Sequence, residues 1–267
     1  MVNIFTVATD IYKKYIDVLY KSLINVYPNE EKRFILIADK PCCDCDIYYH
    51  ICNLPYPFNT YHKIEYIADC INSYNIHKDE KFIFVDADSC FRIMPSDFWS
   101  TFDKFIDTNK LIFTKSPWQN TDIPNIENNH HKDYCHELYI DNLNPKLWTQ
   151  TSFFAGKINK FLDLSLVYFE YVTNCTKLHR HVPCMPYMSD QTIMNKIISL
   201  NYSDYIIDDF IYNGYEFSFV DNDEYLRNDF RNKEYCNCGK TYELNKYHPY
   251  IFIIQKFNND IKSSKRL

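Results

Sequence analysis

The sequence predicts an α/β fold with a mostly parallel central sheet flanked by helices. Three observations point there. Short apolar runs at Ile4–Ala8, Phe34–Ala38 and Phe82–Val85 alternate with segments of helical period, the signature of strand–helix–strand units. Unbroken apolar runs of this kind suit strands covered on both faces. The 267 residues are 46% hydrophobic and 24% charged, ample for one packed core.

The first run, Ile4–Ala8, reads as a buried strand that stops at Thr9-Asp10, a helix-capping pair. Ile11, Tyr15, Val18, Leu19 and Leu23 then recur at helical spacing, and Pro28-Asn29 ends that helix. Phe34–Ala38 is the second strand, closing on Asp39-Lys40-Pro41. After a loop rich in Cys, Tyr and Pro, Ile64, Ile67, Ala68 and Ile71 give residues 61–76 a helical period. Residues 81–86 form a third strand and 111–114 a fourth. Residues 117–147 are polar and aperiodic, the pattern of a long loop acting as a lid or binding segment. Phe153-Phe-Ala-Gly156 precedes a helix over roughly 158–172. A second loop is expected over 173–189, then a helix from Asp190 to Leu200 with Ile193, Met194, Ile197 and Ile198 inward. No linker, repeat or low-complexity tract breaks the chain, so one domain is expected over 1–267, with halves at 1–115 and 116–267.

Composition narrows the function. Gly156, Gly214 and Gly239 are the three glycines, against about 19 in an average chain of this length. A glycine-rich phosphate loop is therefore excluded, and a phosphate site must use a metal ion or basic side chains. Net charge is −6, from 29 basic and 35 acidic side chains, with no basic stripe for nucleic acid. No apolar run reaches the ~18 residues of a membrane span. The opening Met1–Phe5 leads into a strand rather than a leader, and eleven cysteines cannot all pair within one chain. A soluble, cytoplasmic protein with reduced thiols is the expectation, in which the sequons at Asn174 and Asn201 are coincidental. The abundance of Tyr, Phe, Asn, Ile and Lys points to an AT-rich genome, microbial or viral. Cys42-x-x-Cys45 with Cys236-x-Cys238 offers a rival reading as a zinc site, at poor spacing.

Three motifs carry candidate chemistry. Asp86-Ala87-Asp88 follows directly on an apolar strand. Ligands of open parallel sheets gather at the carboxyl ends of strands. Two carboxylates one residue apart can share a hard cation, or they can be solvated turn residues. Phe154-Ala155-Gly156 uses one of three glycines before a helix, for close backbone approach to a ligand or for a plain turn. Asp190-Gln191 with Asn195 opens a helix, where Asp190 either caps or faces a reacting sugar.

The order of these motifs resembles nucleotide-sugar-dependent glycosyltransferases of the GT-A fold. It is most similar to family 6, the histo-blood-group A/B and α-1,3-galactosyltransferase family, from about residue 5 to about residue 215. Ala8-Thr9-Asp10-Ile11-Tyr12 resembles the family's first strand end, which implies contacts of Ala8, Thr9 and Tyr12 with uridine. Ala38–Pro41 resembles its second strand end. Tyr61–Asp69 resembles a helix bearing a basic residue near the donor sugar and diphosphate, a place that falls to Lys63. Lys81–Arg92 matches the metal-binding D-x-D, with Asp86 and Asp88 as ligands and Ala87 between them. Phe153–Gly156 matches the segment lining the sugar pocket, so Phe154, Ala155 and Gly156 are implied donor contacts. Ser189–Asn195 matches the family's His-Asp-Glu-Ser-x-Leu-Asn, making Asp190 and Gln191 the implied catalytic pair.

Three departures stand out. Gln191 replaces the family's Glu, as in the Asp-Gln of the glycogenin-like family 8, and a neutral amide cannot be a covalent nucleophile. Met188 stands where family 6 has Trp, and no counterpart of its amino-terminal membrane anchor is read. Family 8 supplies a third metal ligand from a late His, which implies His248, and the family 6 tail closes over diphosphate with basic residues, which implies Lys262, Lys265 and Arg266. The resemblance implies a metal-dependent, retaining transferase. It would move a hexose or N-acetylhexosamine from a UDP-sugar to a hydroxyl of a glycan or glycoconjugate, with Mn²⁺ or Mg²⁺. A family-8-like enzyme with another donor or acceptor, and a catalytically weak relic that binds nucleotide-sugar or glycan, are the alternatives.

Overall fold

The structure is a computed structural model that describes residues 1–26, 31–54, 58–91, 103–104, 106–115, 149–178, 189–200, 205–206, 216–220 and 251–255. Strand β1 (Val2–Ala8) enters a 3-10 turn over Asp10–Tyr15 and helix α1 (Ile16–Val26). Strands β2 (Lys32–Ala38) and β3 (Ile47–His50), helix α2 (Phe58–Ser73) and strand β4 (Lys81–Val85) follow. Next come β5 (Ser89–Phe91), β6 (Leu111–Lys115), β7 (Thr149–Lys157), α3 (Ile158–Leu178) and α4 (Ser189–Leu200). The last elements are β8 (Tyr205–Ile206), β9 (Glu216–Val220) and β10 (Ile251–Gln255).

Among the described residues seven strands make the main sheet, in the order β3-β2-β1-β4-β7-β6-β8. β3, β2, β1 and β4 run parallel, β7 runs antiparallel to both neighbours, and β8 is parallel to β6. A smaller sheet has the order β5-β10-β9. From β1 the chain steps outward through β2 to β3, then crosses back by α2 to place β4 on the other flank of β1. Strand order therefore reverses between β1 and β4. A crevice opens outside the carboxyl ends of strands at such a point, because the connections leave them on opposite sides.

Alternation along the strands divides the core between two faces. Phe5, Ile35, Ile37, Phe82, Phe84, Phe113 and Phe154 pack under α2, α3 and α4, with Ile64, Ile67, Ile158, Phe161, Ile193 and Ile197. Ile4, Phe34, Leu36, Ile83, Val85, Phe153 and Ala155 pack on the opposite face with Ile16, Leu19 and Leu23 of α1. Both faces are covered, which is why these strands read as unbroken apolar runs. Phe154 stacks on Phe84 at 4.7 Å and on Phe113 at 5.7 Å between ring centres. Each such pair adds about 0.5–1.5 kcal/mol beyond simple burial.

Local details differ from the sequence expectation at several places, among them Ile47–His50, a strand within the stretch read as a loop. Thr9 precedes the first helical turn with extended backbone (φ −118°, ψ 156°), yet its side chain makes no capping bond. Its Oγ1 instead accepts from Asn59 Nδ2 of α2 at 3.2 Å, so a tertiary partner takes the expected cap. The residues before α1 wind as a 3-10 turn, and Asp10 sits at φ 49°. Helix α3 continues through the expected loop start to Leu178, carrying Asn174 within it. Phe153–Gly156 is not a loop-to-helix junction but the body of β7. The expected loop over 117–147 lies outside the described residues, as do Asn201, His248, Lys262, Lys265, Arg266 and Met188.

Candidate functional site

The carboxyl end of β4 is closed by a tight turn. Ser89 N donates to Asp86 O at 3.1 Å, and Asp86 N donates to Ser152 O of β7 at 2.9 Å. Ala87 is buried, 2% exposed, against the α1 face of the core. That anchor leaves Asp86 and Asp88 half-exposed on either side of it. The neighbouring strand end supplies Ala8, buried, then Thr9 and the exposed Tyr12. Asp10, with its left-handed φ, stands in the same segment, a conformation uncommon outside glycine that costs about 1 kcal/mol or more. So the structure brings the D-x-D turn and the Ala8–Tyr12 segment to one end of the sheet, at its point of reversal.

Lys63 joins this end from α2. It is almost wholly buried, and its Nζ lies 2.6 Å from Asp190 Oδ2, 3.5 Å from Asp86 Oδ1 and 3.2 Å from Thr151 O. The same ammonium sits 4.9 Å from the centre of the Phe84 ring, a cation–π contact. Burial pulls the Lys63 pKa down, but the charges of Asp190 and Asp86 outweigh it and hold the pKa above the ordinary lysine value. Lys63 is thus a charged group in the interior, sustained by two carboxylates. A buried charge of this kind is stable only when paired.

Asp190 and Gln191 open α4 and are buried, at 5% and 8% exposure. Asn195 locks that turn to β7. It accepts from Thr149 N at 2.7 Å and donates to Thr149 O at 3.1 Å and Gln191 O at 2.8 Å. Gln191 Nε2 is buried with no hydrogen-bond partner among the described residues, and so is Tyr168 Oη on α3. Burial, then the Asp190 carboxylate and Tyr61, hold the Tyr168 phenol well above its ordinary pKa, so it is neutral. Orphaned donors of this kind cost about 1–3 kcal/mol each and mark a place where a ligand or water oxygen would be received.

Phe154, Ala155 and Gly156 are elsewhere. Because β7 runs antiparallel to β4, Gly156 pairs with Phe82 and Ala155 with Ile83, toward the far end from Asp86. Phe154 and Ala155 are fully buried in the two halves of the core. A Cβ on Gly156 would lie 2.6 Å from Leu111 Cδ2 and 3.2 Å from Lys110 O, so the glycine permits the close approach of β6. The β7 residues beside the D-x-D turn are Thr151 and Ser152, which sequence reading passed over. Asn59 was passed over too. Its amide bonds Thr9 Oγ1, Leu54 O and Asn53 Oδ1 and receives Leu54 N, tying the segment after β1 to the start of α2. Its position in the first helical turn was the available signal.

The donor set at the turn is oxygen only. Mg²⁺ and Mn²⁺ suit two carboxylates, taking their remaining ligands from phosphate and water. Among the described residues no group of three or more His, Cys, Asp and Glu that could hold a metal ion is gathered. Cys42, Cys43 and Cys45 are free, half-buried thiols. Burial raises their pKa values, to about 12 for Cys43, so they are protonated thiols at neutral pH. Cys236 and Cys238 lie outside the described residues. No helix among the described residues is long and apolar enough to cross a membrane.

No protein-family model and no curated protein matches this chain. The functional reading rests on the residues and the geometry.

Proposed function

We propose that the protein is a metal-dependent, retaining glycosyltransferase that moves a hexose or N-acetylhexosamine from a UDP-sugar to a hydroxyl of a glycan. One observation carries the reading: Asp86, Lys63 and Asp190, drawn from three distant segments, converge where strand order reverses. That is where open α/β sheets bind nucleotides. The chain has no glycine-rich loop for phosphates, and Asp86 with Asp88 supplies the other common device. Bound there, Mn²⁺ or Mg²⁺ supplies positive charge that stabilises the departing diphosphate.

The protein's own groups divide the remaining work. In this reading Tyr12, exposed in the segment after β1, covers the base, and Asn59 holds Thr9 in the same segment. Lys63 holds Asp190 in one position. Gln191 presents a buried amide next to it, whose dipole can stabilise positive charge at an anomeric carbon without forming a covalent bond. Its nitrogen, buried without a hydrogen-bond partner among the described residues, is a donor open to a substrate oxygen. Phe154, Ala155 and Gly156 have no part in this reading.

The test is UDP release from UDP-glucose, UDP-galactose and their N-acetylhexosamine counterparts, with and without Mn²⁺, for the wild type and Asp88→Ala. Turnover that needs Mn²⁺ and vanishes in Asp88→Ala is expected. Absence of UDP binding to the wild type would overturn the reading. The neutral Gln191 favours a second reading, a nucleotide-sugar binder without turnover. UDP binding with no release from any donor would establish it.

A further inference from the structure

The Lys63 ammonium has three protons, and three oxygens surround it within 3.5 Å: Asp190 Oδ2, Asp86 Oδ1 and Thr151 O. The sharing is unequal. The contact with Asp190 is short at 2.6 Å and its carboxylate is as buried as the lysine, whereas the contact with Asp86 is long at 3.5 Å and that carboxylate is 32% exposed. Lys63 is thus held more closely by Asp190 than by Asp86. Asp86 has solvent available and can exchange its partner.

We propose that Lys63 is an internal placeholder cation. It shares its charge between Asp190 and Asp86, weakens the grip of the Asp86–Asp88 turn on a divalent ion, and passes wholly to Asp190 when that ion takes Asp86. The inference rests on the reading that this turn holds a divalent cation. Its physical basis is competition between two cations for one carboxylate. A +1 charge beside a +2 charge on a shared ligand repels by an amount that, with screening close to that of water, reduces ion affinity about tenfold. Lys63 would then link the two ends of the site. Filling the turn with metal leaves Lys63 committed to Asp190, on the helix that carries Gln191.

Two substitutions should shift metal affinity in opposite directions. Asp190→Asn leaves Lys63 with Asp86 alone, so the divalent ion should bind several-fold more weakly. Lys63→Met/Asp190→Asn removes both buried charges together; loss of the +1 in contact with Asp86, offset in part by loss of the Asp190 −1, should leave the ion bound a few-fold more tightly than in the wild type. Removing Lys63 alone strands a buried carboxylate and is expected to cost folding, so that variant is not informative.

The experiment titrates MnCl₂ into each protein at low ionic strength and follows free Mn²⁺ by its electron paramagnetic resonance signal. Asp88→Asn is combined with each background to show that binding is at the turn, and thermal melts confirm folding. Weaker binding in Asp190→Asn and tighter binding in the double variant support the proposal. Mn²⁺ bound through Asp88 with equal affinity in all three proteins overturns it and leaves the transferase reading standing. Binding through Asp88 in the double variant but not the wild type supports a placeholder strong enough to block the site and counts against metal-dependent transfer. No Asp88-dependent binding in any of them overturns both. If the double variant fails to fold, the sign in Asp190→Asn decides alone.

Discussion

Asn195→Ala tests how the start of α4 is held against the sheet. Asn195 is 2% exposed, and its amide stands in for a missing strand neighbour at the start of β7. It receives Thr149 N at 2.7 Å, gives one hydrogen to Thr149 O at 3.1 Å and to Gln191 O at 2.8 Å, and also faces Thr149 Oγ1 at 3.3 Å. Alanine removes all of these and leaves the Thr149 backbone groups buried. An unsatisfied buried group costs about 1–3 kcal/mol, so a total loss of about 2–4 kcal/mol is expected after partial relaxation. At about 2–4 °C per kcal/mol for a chain approaching this size, the melting midpoint should fall by roughly 5–15 °C. Circular dichroism melts and urea unfolding measure it, with the urea midpoint moving and its slope constant. Asn195→Asp supplies the control. It keeps an acceptor for Thr149 N but sets a carboxylate oxygen against two carbonyls, so its deficit should shrink as pH falls and the new carboxyl protonates. A loss below about 1 kcal/mol in Asn195→Ala would refute the view that this side chain fastens the helix bearing Asp190 and Gln191 to β7.

Three further outcomes follow from the same structure. Gly156→Ala drives a methyl into Leu111 and toward Lys110 O, and should cost about 1–3 kcal/mol in urea unfolding, partly recovered in Gly156→Ala/Leu111→Val; an unchanged midpoint would show that β6 yields freely. Burial raises the Asp39 pKa, but Lys13 at 2.9 Å and nearby Lys40 more than reverse that, so the folded value lies below the ordinary 3.8. The stability this pair adds, up to about 1 kcal/mol, is present above pH ~4 and is lost as pH falls through the lower folded value; Asp39→Asn should flatten that part of the stability–pH curve. Cys70 is fully buried with its thiol pushed up to about 12, while Cys52 is exposed. Iodoacetamide at pH 8 followed by peptide mass mapping should label Cys52 in the native protein and Cys70 only on unfolding, and early labelling of Cys70 would contradict its burial.

Where β1, β2 and β4 run and which helix faces turn inward was legible in the local sequence, because those are properties of neighbouring residues. The apolar runs that became β1, β2 and β4 are short-range facts, and so is the period that sends Ile64, Ile67 and Ile71 to the core. The Asp86–Asp88 turn was legible for the same reason, as a polar break directly after a buried strand. The direction of β7 was not legible there; it comes from packing between distant segments. Strand direction is set by pairing between segments far apart in the chain, and reversing it exchanges the two ends. That exchange sends Gly156 to pair with Phe82 and brings Thr151 and Ser152 to Asp86. Lys63 is the same lesson in charge. A lysine on an otherwise apolar helix face is visible in the sequence, but its committed partner, Asp190, comes from another helix across the core. The cost of burying an ammonium selects that partner, and it does so only once the sheet and its helices are assembled.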